Sequence, residues 1–115
     1  MEDIYGYAAS VQYIPGTDLA GYKVEATDGH IGKVDDATDE VGAAFIVVDT
    51  GPWIFGKHVL LPAGIITRID HDDDRIHVAR TRQQIKDAPQ YNPDAHRHDA
   101  GYREGLGTYY SSHNR

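Results

Sequence analysis

Apolar residues in this chain come in short runs with a period near two, separated by turn-forming residues. That pattern predicts strands, because successive side chains of a strand point to opposite faces. Residues 22–26 form a first short strand. Asp28-Gly29 then predicts a tight hairpin, since a type I′ turn needs positive φ at both central positions and these residues tolerate it. The return strand covers residues 31–38 and contains Gly32, which marks a bulge or the close approach of another backbone. Residues 43–50 form the third strand. Its run Ala44-Phe45-Ile46-Val47-Val48 is apolar on both faces, so both faces need cover. A barrel interior supplies one cover; the N-terminal arm, a short helix or a second molecule supplies the other.

A fourth strand over residues 59–61 is stopped by Pro62, whose nitrogen has no proton to give a ladder. Residues 65–70 and 75–80 form the fifth and sixth, with Asp72-Asp73-Asp74 turning between them. A short helix follows. Thr81 and Gln84 have the spacing of a capping box, Ile85 faces the barrel, and Ala88-Pro89 ends the helix. Residues 1–17 carry Ile4, Tyr5, Tyr7, Val11, Tyr13 and Ile14 and read as an arm laid along the barrel. After Gln90 the aliphatic residues nearly vanish, and residues 90–115 are expected to be a disordered tail bearing Gly, Tyr and His. The fold class is therefore all-β: a small antiparallel barrel of about six strands over residues 18–89, with a short C-terminal helix and flexible arms.

Charge narrows the range of partners. The chain of 115 residues has a net charge of −7, which argues against a general nucleic-acid binder, because such binding needs a basic face. Between Asp18 and Thr50 lie Glu25, Asp28, Asp35, Asp36, Asp39, Glu40 and Asp49 against only Lys23 and Lys33. Solubility is the simplest use of that negative field. There is no cysteine, so no disulfide, zinc–thiolate site or thiol nucleophile is available. The start, Met1-Glu2-Asp3-Ile4, lacks the features of a secretory signal. No apolar run approaches the roughly 20 residues of a membrane helix. A cytoplasmic protein without membrane insertion is expected.

Candidate chemistry is sparse. Residues 51–58 nearly spell a phosphate-binding loop, but His58 replaces the hydroxyl residue, Pro52 removes an amide, and a strand follows instead of a helix. Within that loop Trp53, Ile54 and Phe55 are consecutive large apolar residues. They either cap the barrel or form a partner contact, for which Trp is a favoured anchor. Asp70-His71-Asp72-Asp73-Asp74 starts like a calcium loop but has Arg75 where glycine belongs and Thr81 where a bidentate glutamate belongs. A solvated turn fits better. His96 and His98 are weak metal candidates on the tail, and His30 and His58 read as surface residues. Adjacent Asp35 and Asp36 point to opposite faces and cannot cooperate as acid and base. No catalytic residue, cofactor or resident metal is expected.

Taken in order, Gly21-Tyr22-Lys23-Val24, Asp28-Gly29-His30-Ile31-Gly32-Lys33-Val34, Phe45-Ile46-Val47-Val48, Leu60-Leu61-Pro62, and the strands ending at Asp70 and Val78 resemble the PRC-barrel. This is the small β-barrel of the photosynthetic reaction-centre H subunit and of a ribosome maturation factor. Asp49-Thr50-Gly51-Pro52-Trp53 and the stretch from Thr81 to Pro89 are similar to the stand-alone bacterial members. The resemblance implies a non-catalytic docking or adaptor module, with a link to general stress responses. Asp28, Gly29, Gly32 and Pro62 are its structural positions, and Trp53, Ile54 and Phe55 its partner-contact candidates. About 70 ordered residues bury only a marginal core, which favours a homodimer. The alternative is a module associated with ribosome assembly or RNA processing, with an unidentified protein, not nucleic acid, as the direct partner.

Overall fold

The computed structural model describes residues 4–6, 18–38, 44–51, 58–89, 91 and 99–112. They form β1 (Lys23–Ala26), β2 (Gly29–Thr38), β3 (Phe45–Asp49), β4 (His58–Pro62), a 3-10 turn (Ala63–Ile65), β5 (Ile66–Asp70), β6 (Arg75–Val78), α1 (Arg82–Lys86) and α2 (Ala100–Ser112). The strands build one six-stranded sheet in the order β4-β3-β2-β1-β6-β5. The pairs β1–β2, β2–β3, β3–β4 and β5–β6 are antiparallel, but β1 and β6 run parallel, with Val24 opposite Ile76. The expected six-stranded all-β fold is present; its antiparallel pattern is corrected at one pairing, which makes the sheet mixed. Each hairpin direction follows from its turn; a pairing between the first and last strands follows only from how the sheet closes up.

The sheet is strongly curled. β4 and β5 are its two edges, yet only Ala63–Ile65 joins them. Six flat strands would set the edges about 24 Å apart at the usual inter-strand spacing, whereas three residues reach about 10 Å. The edges therefore bend toward one another. The turn is tied at both sides: the Ala63 N–H donates to Ala44 O at 3.0 Å, and the Ala79 N–H to Ile65 O at 2.9 Å. No ladder joins β4 to β5, so the roll stays open there.

The concave face holds the core. Val24, Ile31, Val34, Leu61, Ile66, Ile76 and Val78 alternate inward, and Ile85 of α1 adds to them. Phe45, Ile46, Val47 and Val48 are all buried within the single chain, so β3 does not call on a second copy to cover it. Thr81 and Gln84 form the anticipated capping box: Thr81 Oγ1 accepts from the Gln84 N–H at 3.1 Å, and Gln84 Oε1 from the Thr81 N–H at 2.9 Å. Pro62 closes β4 opposite Phe45.

Gly32 marks both a bulge and a close approach. Pairing jumps from Val24–Gly32 to Glu25–His30, leaving Ile31 as the extra residue of β2. At φ +157°, a Cβ on Gly32 would lie 2.1 Å from the Asp49 carbonyl oxygen. The end of β3 can pass over β2 only because that atom is absent.

Two expectations change in detail. The hairpin turn is Thr27–Asp28, because Ala26 pairs with Gly29, which already belongs to β2. Asp28 keeps negative φ; the one non-glycine residue with positive φ among the described residues is Asp74. The type I′ turn centred on Asp28-Gly29 is therefore corrected. The arms are also not loose where they are described. Ile4 O and Tyr5 O accept from the Gly64 and Ala44 N–H groups, at 2.7 and 2.9 Å. Instead of a disordered tail, residues 100–112 form helix α2, opened by Asp99, whose Oδ1 accepts from the Tyr102 N–H at 3.1 Å. Leu106 and Tyr110 of α2 are fully buried. Tyrosine supplies the apolar area that the missing aliphatics do not.

Burial of these rings sets an alkaline limit. It pushes the Tyr5 hydroxyl from 10.0 up to about 12, against the opposing charge of Arg103. Burial drives Tyr102 and Tyr110 further up still. The stabilisation linked to these protons is whole below pH 10 and fades above it, as the unfolded chain sheds protons that the folded chain keeps. For Tyr5 the loss is complete once pH passes about 12. Melting temperature is expected to be flat below about pH 10 and to fall above it, with buried phenolate absorbance rising in step with unfolding. Gly32→Ala is expected to cost about 3 kcal/mol in a denaturant titration. Gly51→Ala, at φ +57° with nothing within 4 Å of the new carbon, is expected to cost only about 1 kcal/mol.

Candidate docking surface

The β2–β3 crossing leaves a depression at one end of the roll. An open hollow of about 310 Å³ is lined by residues 30–33 of β2 and 49–51 at the end of β3. The Gly32 bulge shapes its floor, and buried Ile31 and Thr50 make its walls. Lys33 and Asp49 face each other in the ladder at its rim. The exposed Asp49 carboxylate accepts the Gly51 N–H at 2.9 Å. From Gly51 the chain runs into residues 52–57 and returns as β4, with His58 paired to Asp49. Trp53, Ile54 and Phe55 belong to that connection and lie outside the described residues, as do His96 and His98.

Beside the hollow a charged chain crosses three strands. His30 Nδ1 donates to Glu25 Oε2 at 2.6 Å, Arg75 Nη1 donates to Glu25 Oε1 at 2.6 Å, and Arg75 Nε donates to Asp73 Oδ2 at 2.8 Å. The Arg75 hydrogen bond and charge hold the Asp73 carboxyl below its ordinary range. The partners are exposed or half-exposed, so the network orders the outer face more than it stabilises the fold. His58 Nε2 lies 3.5 Å from Asp35 Oδ2. Each of these histidines is thus held by a carboxylate.

The acidic turn is occupied by its own backbone. Asp70 Oδ1 accepts the N–H groups of Asp72 and Asp73, both at 3.1 Å. That is the geometry of a side-chain-closed turn, which uses the oxygen a cation would need. Among the described residues no three metal-ligating side chains gather. Asp35 is exposed and Asp36 half-buried, its Oδ1 accepting the Ala37 N–H at 2.9 Å.

Asp28 has a role beyond the turn. Its Oδ1 accepts the Arg82 N–H at 2.8 Å, satisfying a first-turn amide of α1 from the β1–β2 hairpin. Gly29 lies under the Arg82 side chain, 3.3 Å from where a Cβ would sit. Arg80 is the position that sequence patterns overlook. It is a buried arginine two residues beyond β6, where charge ordinarily signals solvent.

These features define a small curled β domain whose distinctive features lie on its surface. The PRC-barrel domain pattern matches residues 12–85, well over half of the sequence, and the chain belongs to the PRC-barrel family. That family is non-enzymatic and fits a small interaction module. No curated protein matches the chain. No helix among the described residues is long and apolar enough to cross a membrane.

Asp28→Ala is expected to lower stability by about 1 kcal/mol, read as a shifted denaturant midpoint with an unchanged slope. Asp28→Asn, which keeps an acceptor for the Arg82 amide, is expected to recover most of that loss.

Proposed function

We propose that this chain is a non-catalytic docking module that holds a protein partner at the β3–β4 end of the roll. The observation that carries this reading is the hollow beside Gly51, immediately before Trp53, Ile54 and Phe55 in the chain. A concave, weakly polar surface next to consecutive large apolar residues suits an anchor contact. The rim offers one cation, Lys33, and one carboxylate, Asp49, enough to orient a partner but not to run a reaction. The net charge of −7 favours a partner with a basic face over RNA.

A photo-crosslinking residue placed at Trp53 is expected to capture a defined protein partner in cells. Replacing Trp53 and Phe55 together with Ala is expected to abolish that complex and leave the melting temperature nearly unchanged. A large fall in melting temperature instead would make these residues a cap on the core and end the docking assignment. Trp53 is the only tryptophan, so its fluorescence reports the same contact directly.

A further inference from the structure

The two segments outside matched residues 12–85 meet each other on the domain. The Tyr5 hydroxyl donates to Arg103 O of α2 at 2.6 Å. A Cβ on Gly107 would stand 3.1 Å from the Tyr5 ring and 3.2 Å from an Ile4 methyl, so glycine lets the helix settle onto the N-terminal residues. α2 then reaches the domain itself. The Tyr109 hydroxyl donates to Gln84 O at 2.6 Å, and Arg80 Nη2 donates to Tyr110 O at 2.8 Å.

Three properties distinguish this seat from an ordinary piece of core. First, the helix is weak alone. Gly101, Gly105 and Gly107 fall within its 13 residues, each costing about 1 kcal/mol relative to alanine, and an isolated helix of this length is marginal in any case. It is held by one stripe, Tyr102, Leu106 and Tyr110, at i, i+4 and i+8. Second, the polar contacts run between hydroxyls or a guanidinium and main-chain carbonyls. Two of these carbonyls, of Arg103 and Tyr110, belong to α2, and any helix supplies such groups; the third is that of Gln84 on the domain, which takes the Tyr109 hydroxyl. Third, Arg80 is only 4 % exposed and meets no carboxylate among the described residues. It donates to the carbonyls of Ala79 and Tyr110 and lies 5.8 Å over the Tyr110 ring. Its Nε and the Tyr110 hydroxyl have no hydrogen-bond partner there. A buried cation set against the last turn of a helix is satisfied by the negative end of the helix dipole. Its spare donor leaves the seat able to take more than α2 supplies.

We propose that the face around Arg80 and Gln84 is a helix-receiving site, filled in cis by α2. Its partner in trans is a helix of the same chemistry, with aromatic or aliphatic residues at i, i+4 and i+8 and its last carbonyls over Arg80. α2 is then the internal competitor for that partner. The site uses no residue of the β3–β4 connection and stands whether or not that connection docks anything.

The test uses the full chain and a fluorescent peptide of residues 99–112. The double variant Leu106→Asp, Tyr110→Asp ejects α2 by charging its buried stripe. It is expected to keep the strand signal and to bind the peptide at least about 10-fold more tightly than the unmodified chain. Adding Arg80→Met is expected to return binding to the unmodified level. A folded double variant that binds no peptide overturns the proposal. So does a double variant that loses its strands, because α2 would then be part of the fixed core. In the unmodified chain, amides of α2 are expected to exchange at least about 100-fold faster than those of β3; equal protection in the two also overturns it.

Discussion

The whole structure depends on a short tether. Ala63–Ile65 joins the two outermost strands of a six-stranded sheet, and three residues cannot span a flat one. Curvature is therefore compulsory, and with it comes an interior that alternating side chains can fill. Curvature needs a place to bend. Gly32 provides it through the bulge against β1 and the missing Cβ under Asp49. The same crossing opens the hollow at the end of β3. Fold and candidate surface thus share one cause.

A roll that remains unzipped between β4 and β5 has ends and sides to protect. Polar chemistry covers the outer face, where Glu25 links His30 of β2 to Arg75 of β6 across the central strand. Asp28 fastens α1 to the first hairpin, and Tyr91 bridges to His58 at the β4 edge. Together these contacts tie the edges and corners that a small sheet leaves open.

The C-terminal helix adds a second layer. Its tyrosines give the chain apolar area without aliphatic side chains, and their hydroxyls reach main-chain carbonyls at the periphery. Arg80 is held by the helix end instead of by an acid. Burial lowers its guanidinium from the ordinary value without discharging it, so a permanent charge sits beneath α2. The consequence is a family domain with an occupied face, built from residues other than those that line the hollow at the end of β3.

Local chemistry wrote much of this in the sequence. Alternation and short apolar runs between turn residues located all six strands, Thr81 and Gln84 spelled their capping box, and Gly32 announced a bend within a strand. Those signals are legible because each acts between residues near in sequence. The parallel meeting of β1 with β6, the Thr27–Asp28 turn and the folding of residues 100–112 were not. Each depends on groups far apart along the chain: Val24 with Ile76, Asp28 with Arg82, Tyr110 with Arg80. A tyrosine- and glycine-rich segment looks unable to order itself; a preformed seat lends it the buried contacts that its own composition lacks. The apolar Trp53, Ile54 and Phe55 stand out in the sequence, while the hollow beside their point of departure exists only once β2 and β3 have crossed.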